Sequence, residues 1–344
     1  MIRTALVGYG LAGRAFHAPL VRASEGFALD AVVTSRRSQV EADAPGALVV
    51  PELAAVLAMS DIELVIIATP NDSHAAYARA AIEAGKHVVI DKPIALDSGE
   101  ARELAAAARA VGRMLTIFHN RRWDSDFLTV KRLLEQEVLG EILLASACWD
   151  RYRPALRDNW HEAPGKGGGV LIDLGPHLVD QALQMFGLPD AIDADIGAQR
   201  AGSQVDDYFH LTLHYGTRRV ELASAPIVAE PRPRFALHGL RGSFRKQGLD
   251  PQEAVLRAQH RADQPDFGIE APEQHGVLTL ADGSRQRVLS ERGDYRRFYA
   301  GVRACLRHGA PPPVDPLDAV NGLQLIEWAR RSASEGRRLR CRWN

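Results

Sequence analysis

The stretch "ALVGYGLAG", Ala5 to Gly13, limits the possible folds more than any other part of the chain. A short apolar run ends in Gly8, and Gly10 and Gly13 complete the spacing G-x-G-x-x-G. Alone, that spacing is common. It gains meaning here because a strand-like run precedes it and a helical pattern, "RAFHAPLVRAS", follows it. In such a turn the first glycine permits the tight bend. The second lets a pyrophosphate approach the backbone, and the third lets helix and strand pack closely. The helix start then faces the anion with its unpaired N–H groups. Gly8, Gly10, Leu11, Ala12 and Gly13 are therefore candidate dinucleotide contacts. The alternative is a glycine-rich turn that holds no ligand.

The pattern behind the turn favours the first reading. "ALDAVVTS", "ELVIIATP", "HVVID" and "MLTIF" read as short strands, separated by the helical segments "PELAAVLAMS", "HAAYARAAIEAG" and "SGEARELAAAARAVG". Apolar runs alternating with helix-length segments predict a parallel sheet covered on both faces, an α/β Rossmann domain over residues 1–120. The pattern then changes. A long helix, "WDSDFLTVKRLLEQEVLG", leads into the strand "EILLASACWD". Later come "DYFHLTLHY", "RRVELASAPIV", "RFALHG", "GSFRK" and "HGVLTLADG", which predict a mostly antiparallel sheet. Residues 121–344 are thus expected to form an α+β domain. "GAPPPVDP" is a connector, and "LDAVNGLQLIEWARRSASEG" a final helix with Leu325, Ile326 and Ala329 along one face.

Composition removes several function classes. A length of 344 residues suits two domains, each with its own core. The formal net charge is −1, and acids are interspersed among the arginines, so no basic field for nucleic acid is expected. The three cysteines, Cys148, Cys305 and Cys341, lie far apart, without the spacing of a zinc ribbon or a disulfide framework. No apolar run approaches the roughly 20 residues of a membrane helix. The start of the chain lacks the pattern of a secretion signal. A soluble, cytoplasmic protein with neither membrane nor nucleic-acid partners is expected.

The second strand bears on cofactor choice. Where an NAD-preferring fold carries an acid for the ribose 2′-hydroxyl, this strand ends in Ser35, Arg36 and Arg37. A hydroxyl and two guanidinium groups suit a 2′-phosphate, so NADP is expected, with NAD possible. One of the two arginines can equally be an exposed loop charge. "ATPNDSH" ends the next apolar strand and contributes Thr69, Pro70, Asn71 and His74 as candidate cofactor contacts. Capping of the following helix is the alternative there, since Asn71, Asp72 and Ser73 are good capping types.

"GGGVLIDLGPHLVD", Gly167 to Asp180, places Asp173 and His177 four residues apart in an apolar segment. That spacing puts both on one helix face. Pro176 would break an interior bond to Ile172, leaving a kinked helix or one that starts late near Asp173. A satisfied structural pair, a metal site and a proton-transfer pair all remain open. A catalytic zinc needs about three protein ligands, and only His161 and Glu162 lie nearby, so no metal is expected.

Taken together and in order, "GxGxxG", "ATPNDSH", "DKP" and "GGGVLIDLGPH" resemble the Gfo/Idh/MocA oxidoreductases, which act on sugars and polyols with a nicotinamide cofactor. "FHNRRWDSDFLTVKRLLEQEVLGEI", "RYRPALRDNW" and "FALHGLRGSFRKQGLDPQE" resemble the branch that holds NADP-dependent scyllo-inositol dehydrogenases. The resemblance implies a Rossmann domain followed, over residues 121–344, by a substrate-binding and oligomerisation domain built on a large open, mostly antiparallel sheet. The outer face of that sheet makes dimer or tetramer contacts in many members, so a homodimer or homotetramer is expected. It also implies catalytic roles for Lys92, Asp173 and His177, with Asp91, Lys92 and Asn120 on the cofactor side. In that scheme His177 takes the hydroxyl proton, Lys92 hydrogen-bonds the same oxygen, and Asp173 positions substrate or imidazole. Where the family usually reads Glu-Lys-Pro, this chain has Asp91-Lys92-Pro93, a shorter acid before the lysine.

A polyol site mixes hydrogen-bonding groups with aromatic platforms. Asn120, Arg122, Trp123, Tyr152, Arg153, Asp158, Trp160 and His161 supply both types beside Lys92, Asp173 and His177. So many arginines would also fit an acidic or phosphorylated sugar. The resemblance implies hydride transfer between the cofactor and a secondary alcohol of a cyclic polyol or sugar, with scyllo-inositol going to the inosose as the expected reaction. The alternatives are a dehydrogenase of an aldose or acidic sugar, a redox-neutral glycosidase, and a non-catalytic dinucleotide-binding regulator.

Overall fold

Fully apolar strands need cover on both faces, and the first sheet has it. The structure, a computed structural model, describes residues 1–157, 162–165, 167–259 and 261–343. Numbered along the chain, the helices are α1 Ala18–Ala23, α2 Arg37–Asp43, α3 Leu53–Leu57, α4 His74–Glu83, α5 Ser98–Ala110, α6 Ser125–Glu135, α7 Val170–Phe186, α8 Gln252–Gln259, α9 Arg296–His308 and α10 Pro316–Glu335. The chain divides into two units. The first comprises Met1–Trp123, Pro251–Phe267 and Asp294–Val320, and the second comprises the remainder.

In the first unit, β1 Ile2–Val7, β2 Phe27–Val33, β3 Leu48–Val50, β4 Leu64–Ile67, β5 His87–Ile90 and β6 Leu115–Ile117 form one sheet. All its pairings are parallel, in the order β3-β2-β1-β4-β5-β6. Strand order reverses between β1 and β4, the switch point outside whose carboxyl ends such sheets bind ligands. The chain after the glycine turn does not enter an α-helix directly. Ala12–His17 is a π-helical turn, and only then does α1 begin. His17 is fully buried, its ring 4.4 Å from that of Phe118 and its Nδ1 2.7 Å from the Tyr299 hydroxyl. Burial holds its imidazole down at about 4, against the opposing charge of Asp91.

Residues beyond 250 also join this unit, which a single boundary at residue 120 does not anticipate. The reason is aromatic. Phe298 on α9 packs edge-on against Phe118 and Trp123, with ring centroids 5.0 and 5.7 Å apart, and Tyr299 packs on Phe27 at 5.6 Å. Such contacts bury large apolar areas. Gly309 closes α9 with φ 67°, a left-handed cap that suits glycine.

Among the described residues the second unit holds nine strands: β7 Ile142–Cys148, β8 Ala191–Gly197, β9 Tyr208–Tyr215, β10 Arg218–Ser224, β11 Phe235–Gly239, β12 Gly242–Lys246, β13 Gly276–Leu280, β14 Arg285–Val288 and β15 Leu339–Arg340. The order is β14-β13-β12-β11-β7-β10-β9-β8-β15. The β7–β10 pair is parallel and the other pairings are antiparallel. Alternation is clear in β9, where Phe209, Leu211 and Leu213 are buried and Tyr208, His210 and Thr212 are half-buried. Leu211 and Leu222, directly opposed across β9 and β10, share one core with Leu174 and Leu178 of α7. Leu325, Ile326 and Ala329 of α10 join the same core.

That core also encloses charge. The Asp126 carboxylate lies 3.4 Å from the Arg234 guanidinium, and the Lys246 ammonium 3.0 Å from Glu270. Arg234 donates to Gln181 at 2.5 Å, and Ser125 and Ser290 each donate to Glu270 at 2.7 Å. Burial pushes the Asp126 carboxyl up, and the nearby Arg234 and Lys246 oppose that rise.

Candidate active site

Each glycine of the turn meets a different requirement. Gly8 has φ +97°, and a Cβ there would overlap the Ala68 carbonyl oxygen. A Cβ on Gly13 would overlap the carbonyl oxygen of Gly8, so the chain closes on itself too tightly for any side chain. Above Gly10 there is open space within 4 Å. That is a backbone cradle with one open side, and it fits the pyrophosphate of a dinucleotide. Leu11 is exposed beside it and Ala12 half-buried.

The two arginines after β2 separate. Ser35, Arg36 and Arg37 are all exposed. Arg36 points back to the glycine turn, its guanidinium donating to the Tyr9 carbonyl at 3.2 Å and its N–H to the Thr34 hydroxyl at 3.1 Å. Arg37 donates to the Val49 carbonyl of β3 at 3.1 Å and lies 3.7 Å from Glu41. One guanidinium thus borders the cradle and the other braces a strand.

Beyond β4, Thr69 is half-buried, Pro70 exposed and Asn71 buried. The Ser73 hydroxyl lies 2.7 Å from both the Thr69 hydroxyl and the Pro70 carbonyl oxygen, and makes no side-chain cap bond to α4. His74 is buried, with Nδ1 2.7 Å from the Pro93 carbonyl oxygen and Nε2 2.9 Å from that of Thr69. Beyond β5, the Asp91 carboxylate accepts the backbone N–H of the half-buried Lys92 at 2.9 Å, and the Lys92–Pro93 peptide is cis. The shorter acid therefore caps the lysine's own backbone. After β6, Asn120 is buried at the start of a short 3₁₀ turn, Asn120–Trp123. Arg122 pairs with Asp318 at 2.8 Å and Trp123 meets Phe298 edge-on, so the structure gives both a structural partner.

In the second unit, α7 begins at Val170, three residues before Asp173, and continues through Pro176. Gly169, at φ +107°, turns the chain into it. Asp206 satisfies the helix start: its carbonyl accepts from Val170 at 2.8 Å and its carboxylate from Leu171 at 2.6 Å. Burial pushes the Asp206 carboxyl up. Asp173 therefore stands in the first turn and His177 one turn later, the carboxylate partly exposed and the imidazole 6% exposed.

Asp173 lines a cleft together with Arg151, Arg153, Glu162, Arg200 and Asp207. The guanidinium of Arg151 lies 3.9 Å from Asp173 and 5.8 Å from the ring of Trp149. Trp149 in turn lies 6.1 Å from the His177 ring, tilted by 33°. Arg151 and Trp149 thus link the two members of the pair, yet neither was singled out from the sequence. Residues two apart in an extended segment share a face, and that signal was available just beyond β7. Tyr152, on the other parity, is 63% exposed and outside the cleft lining. Arg200 is 2.9 Å from Asp207 and 3.5 Å from Glu162, and Arg157 is 3.1 Å from Glu162. Arg151, Arg157 and Arg200 each have a carboxylate within 4 Å. Asp158, Trp160 and His161 lie outside the described residues. Among the described residues no three His, Cys, Asp or Glu side chains group to hold a metal ion, and no helix is long and apolar enough to cross a membrane.

Comparison with known proteins decides the family. Residues 2–119 match the model described as "Oxidoreductase family, NAD-binding Rossmann fold", and residues 131–340 match "Oxidoreductase family, C-terminal alpha/beta domain". The chain is a Gfo/Idh/MocA oxidoreductase. Among relatives of this Gfo/Idh/MocA member, the uncharacterized oxidoreductase YdgJ of Escherichia coli (strain K12) is 44% identical over 335 residues, 96% of each chain. The scyllo-inositol 2-dehydrogenase (NADP(+)) IolW of Bacillus subtilis (strain 168) is 39% identical over 339 residues, 98% of this chain and 95% of that one. The solved structure of the oxidoreductase yvaA from Bacillus subtilis superposes with a TM-score of 0.97 at 38% identity, covering 99% and 98% of the two chains. The first unit of this oxidoreductase is accordingly an NAD(P)-binding Rossmann fold.

Proposed function

We propose that this oxidoreductase transfers a hydride between NADP and a secondary alcohol of a cyclic polyol, with scyllo-inositol and its inosose as the substrate pair. The observation that carries the reading is the end-to-end similarity to the NADP-dependent scyllo-inositol dehydrogenase of Bacillus subtilis. The cleft beside Asp173 adds support, because its paired charges favour a neutral polyhydroxylated substrate over an acidic sugar.

The bound nicotinamide supplies the hydride acceptor. His177 takes the hydroxyl proton, a role suited to an imidazole near neutral pH. Lys92 donates a hydrogen bond to the same oxygen and stabilises its developing negative charge. Asp173, one turn before His177, orients the imidazole or a neighbouring hydroxyl, with Arg151 beside it.

A substrate screen tests this reading. NADP reduction is followed with scyllo-inositol, myo-inositol, simple aldoses and uronic acids, and scyllo-inositol is expected to turn over with the highest kcat/KM. A preference for uronic acids would overturn the assignment. So would release of free sugar from glycosides without NADPH accumulation, or dinucleotide binding with no turnover.

Cofactor choice is tested separately. A charge-assisted hydrogen bond is worth about 1.5–3 kcal/mol. Arg36→Ala is therefore expected to lower kcat/KM for NADP roughly 10-fold to 10²-fold while leaving NAD nearly unchanged. Arg37→Ala, which loses a brace on β3, is expected to change the ratio by less than about threefold. A wild-type kcat/KM for NAD equal to or above that for NADP would refute the preference.

A further inference from the structure

We propose that His74 is a positioning residue for Lys92, holding the backbone on which the lysine stands rather than contacting the dinucleotide. The proposal rests on the catalytic role given to Lys92 above. β4 and β5 are neighbours whose last paired residues are Ile67 and Ile90, and the Asp91 N–H still reaches the Ile67 carbonyl at 2.8 Å. Beyond that point the chain leaves β4 through Thr69 and β5 through Lys92 and Pro93. The imidazole of His74 lies between these two exits, 2.9 Å from the Thr69 carbonyl oxygen and 2.7 Å from that of Pro93.

Three features make this a tie rather than a ligand contact. Both ring nitrogens face backbone oxygens, so neither is left for a cofactor. A neutral ring donates to one of the two carbonyls and a protonated ring to both, and in either state the ring is committed to the backbone. The side chain is 1% exposed, and its own backbone is anchored at the start of α4. Lys92 is consequently gripped on both sides, through its N–H by Asp91 and through the next carbonyl by His74. A side chain that must meet a developing negative charge needs its backbone fixed to a fraction of an ångström.

The test is a double-mutant cycle between His74 and Lys92. His74→Phe keeps a planar ring and removes both nitrogens, and His74→Gln returns one amide donor. His74→Phe is expected to lower kcat roughly 10-fold to 10²-fold, the cost of a misplaced group. The NADP Kd, read by titration, should stay within about threefold, and His74→Gln should recover part of kcat. Because His74 is assigned to act through Lys92, adding His74→Phe to Lys92→Ala should lower kcat by less than about threefold further. Additive losses would overturn the proposal, as would an NADP Kd that rises in step with the fall in kcat. Near-wild-type turnover in Lys92→Ala would instead overturn the reading of the lysine itself. Thermal midpoints are measured for each variant, and His74→Gln carries the cycle if the phenylalanine is not accommodated.

Discussion

His177→Ala is expected to lower kcat by on the order of 10²-fold or more, the usual contribution of a positioned acid–base group. The imidazole is buried about two turns into α7, against Trp149, in a helix whose start is held by Asp206. Truncation there removes the proposed proton acceptor and leaves the helix termini intact. His177→Asn preserves polarity without an acceptor of useful basicity and should be as slow. Lys92→Ala is expected to fall comparably, because the role proposed for its ammonium, stabilising developing negative charge, acts mainly on the transition state. Single-turnover rates with saturating NADP and scyllo-inositol measure both effects. Variants that fold, bind NADP and still turn over near the wild-type rate would remove these side chains from the chemistry.

The largest stability effect is expected at Lys246. Its ammonium and the Glu270 carboxylate are both fully buried, and Asp126 and Arg234 share the same interior. Lys246→Met leaves Glu270 charged and enclosed without its cation, which costs about 3–5 kcal/mol in comparable buried pairs. Replacing both partners, Lys246→Met with Glu270→Leu, should restore most of that loss, because the pair gains little over well-packed apolar side chains. Urea unfolding of the three proteins measures the difference. A single variant within about 1 kcal/mol of wild type would show that the carboxylate finds other compensation.

Local geometry was legible in the chain, and long-range packing was not. Gly8 and Gly13 could be assigned backbone roles because each depends on a turn of a few residues. The parallel sheet followed from apolar runs such as "ELVIIATP", which need no partner to be recognised. The choice between Arg36 and Arg37 was not readable, since it turns on which guanidinium finds the Val49 carbonyl. Asp206, which closes the start of α7, lies in a loop before β9 and has no local mark of that role. The π-helical turn after the glycines likewise has no signature in composition. α9 was missed for another reason. Phe298, Val302 and Cys305 follow helical spacing, but five arginines from Arg292 to Arg307 mask the short apolar face. The parallel β7–β10 pair is a smaller departure from an otherwise antiparallel sheet.

The aromatic cover that α9 places over Phe27 and Phe118 restricts how this family can be recombined. A graft carrying only residues 2–119 would transplant the dinucleotide turn and leave behind the helix that keeps those rings dry. Chimeras between relatives should therefore exchange residues 294–320 along with the N-terminal stretch, two pieces of gene moved as one inheritance.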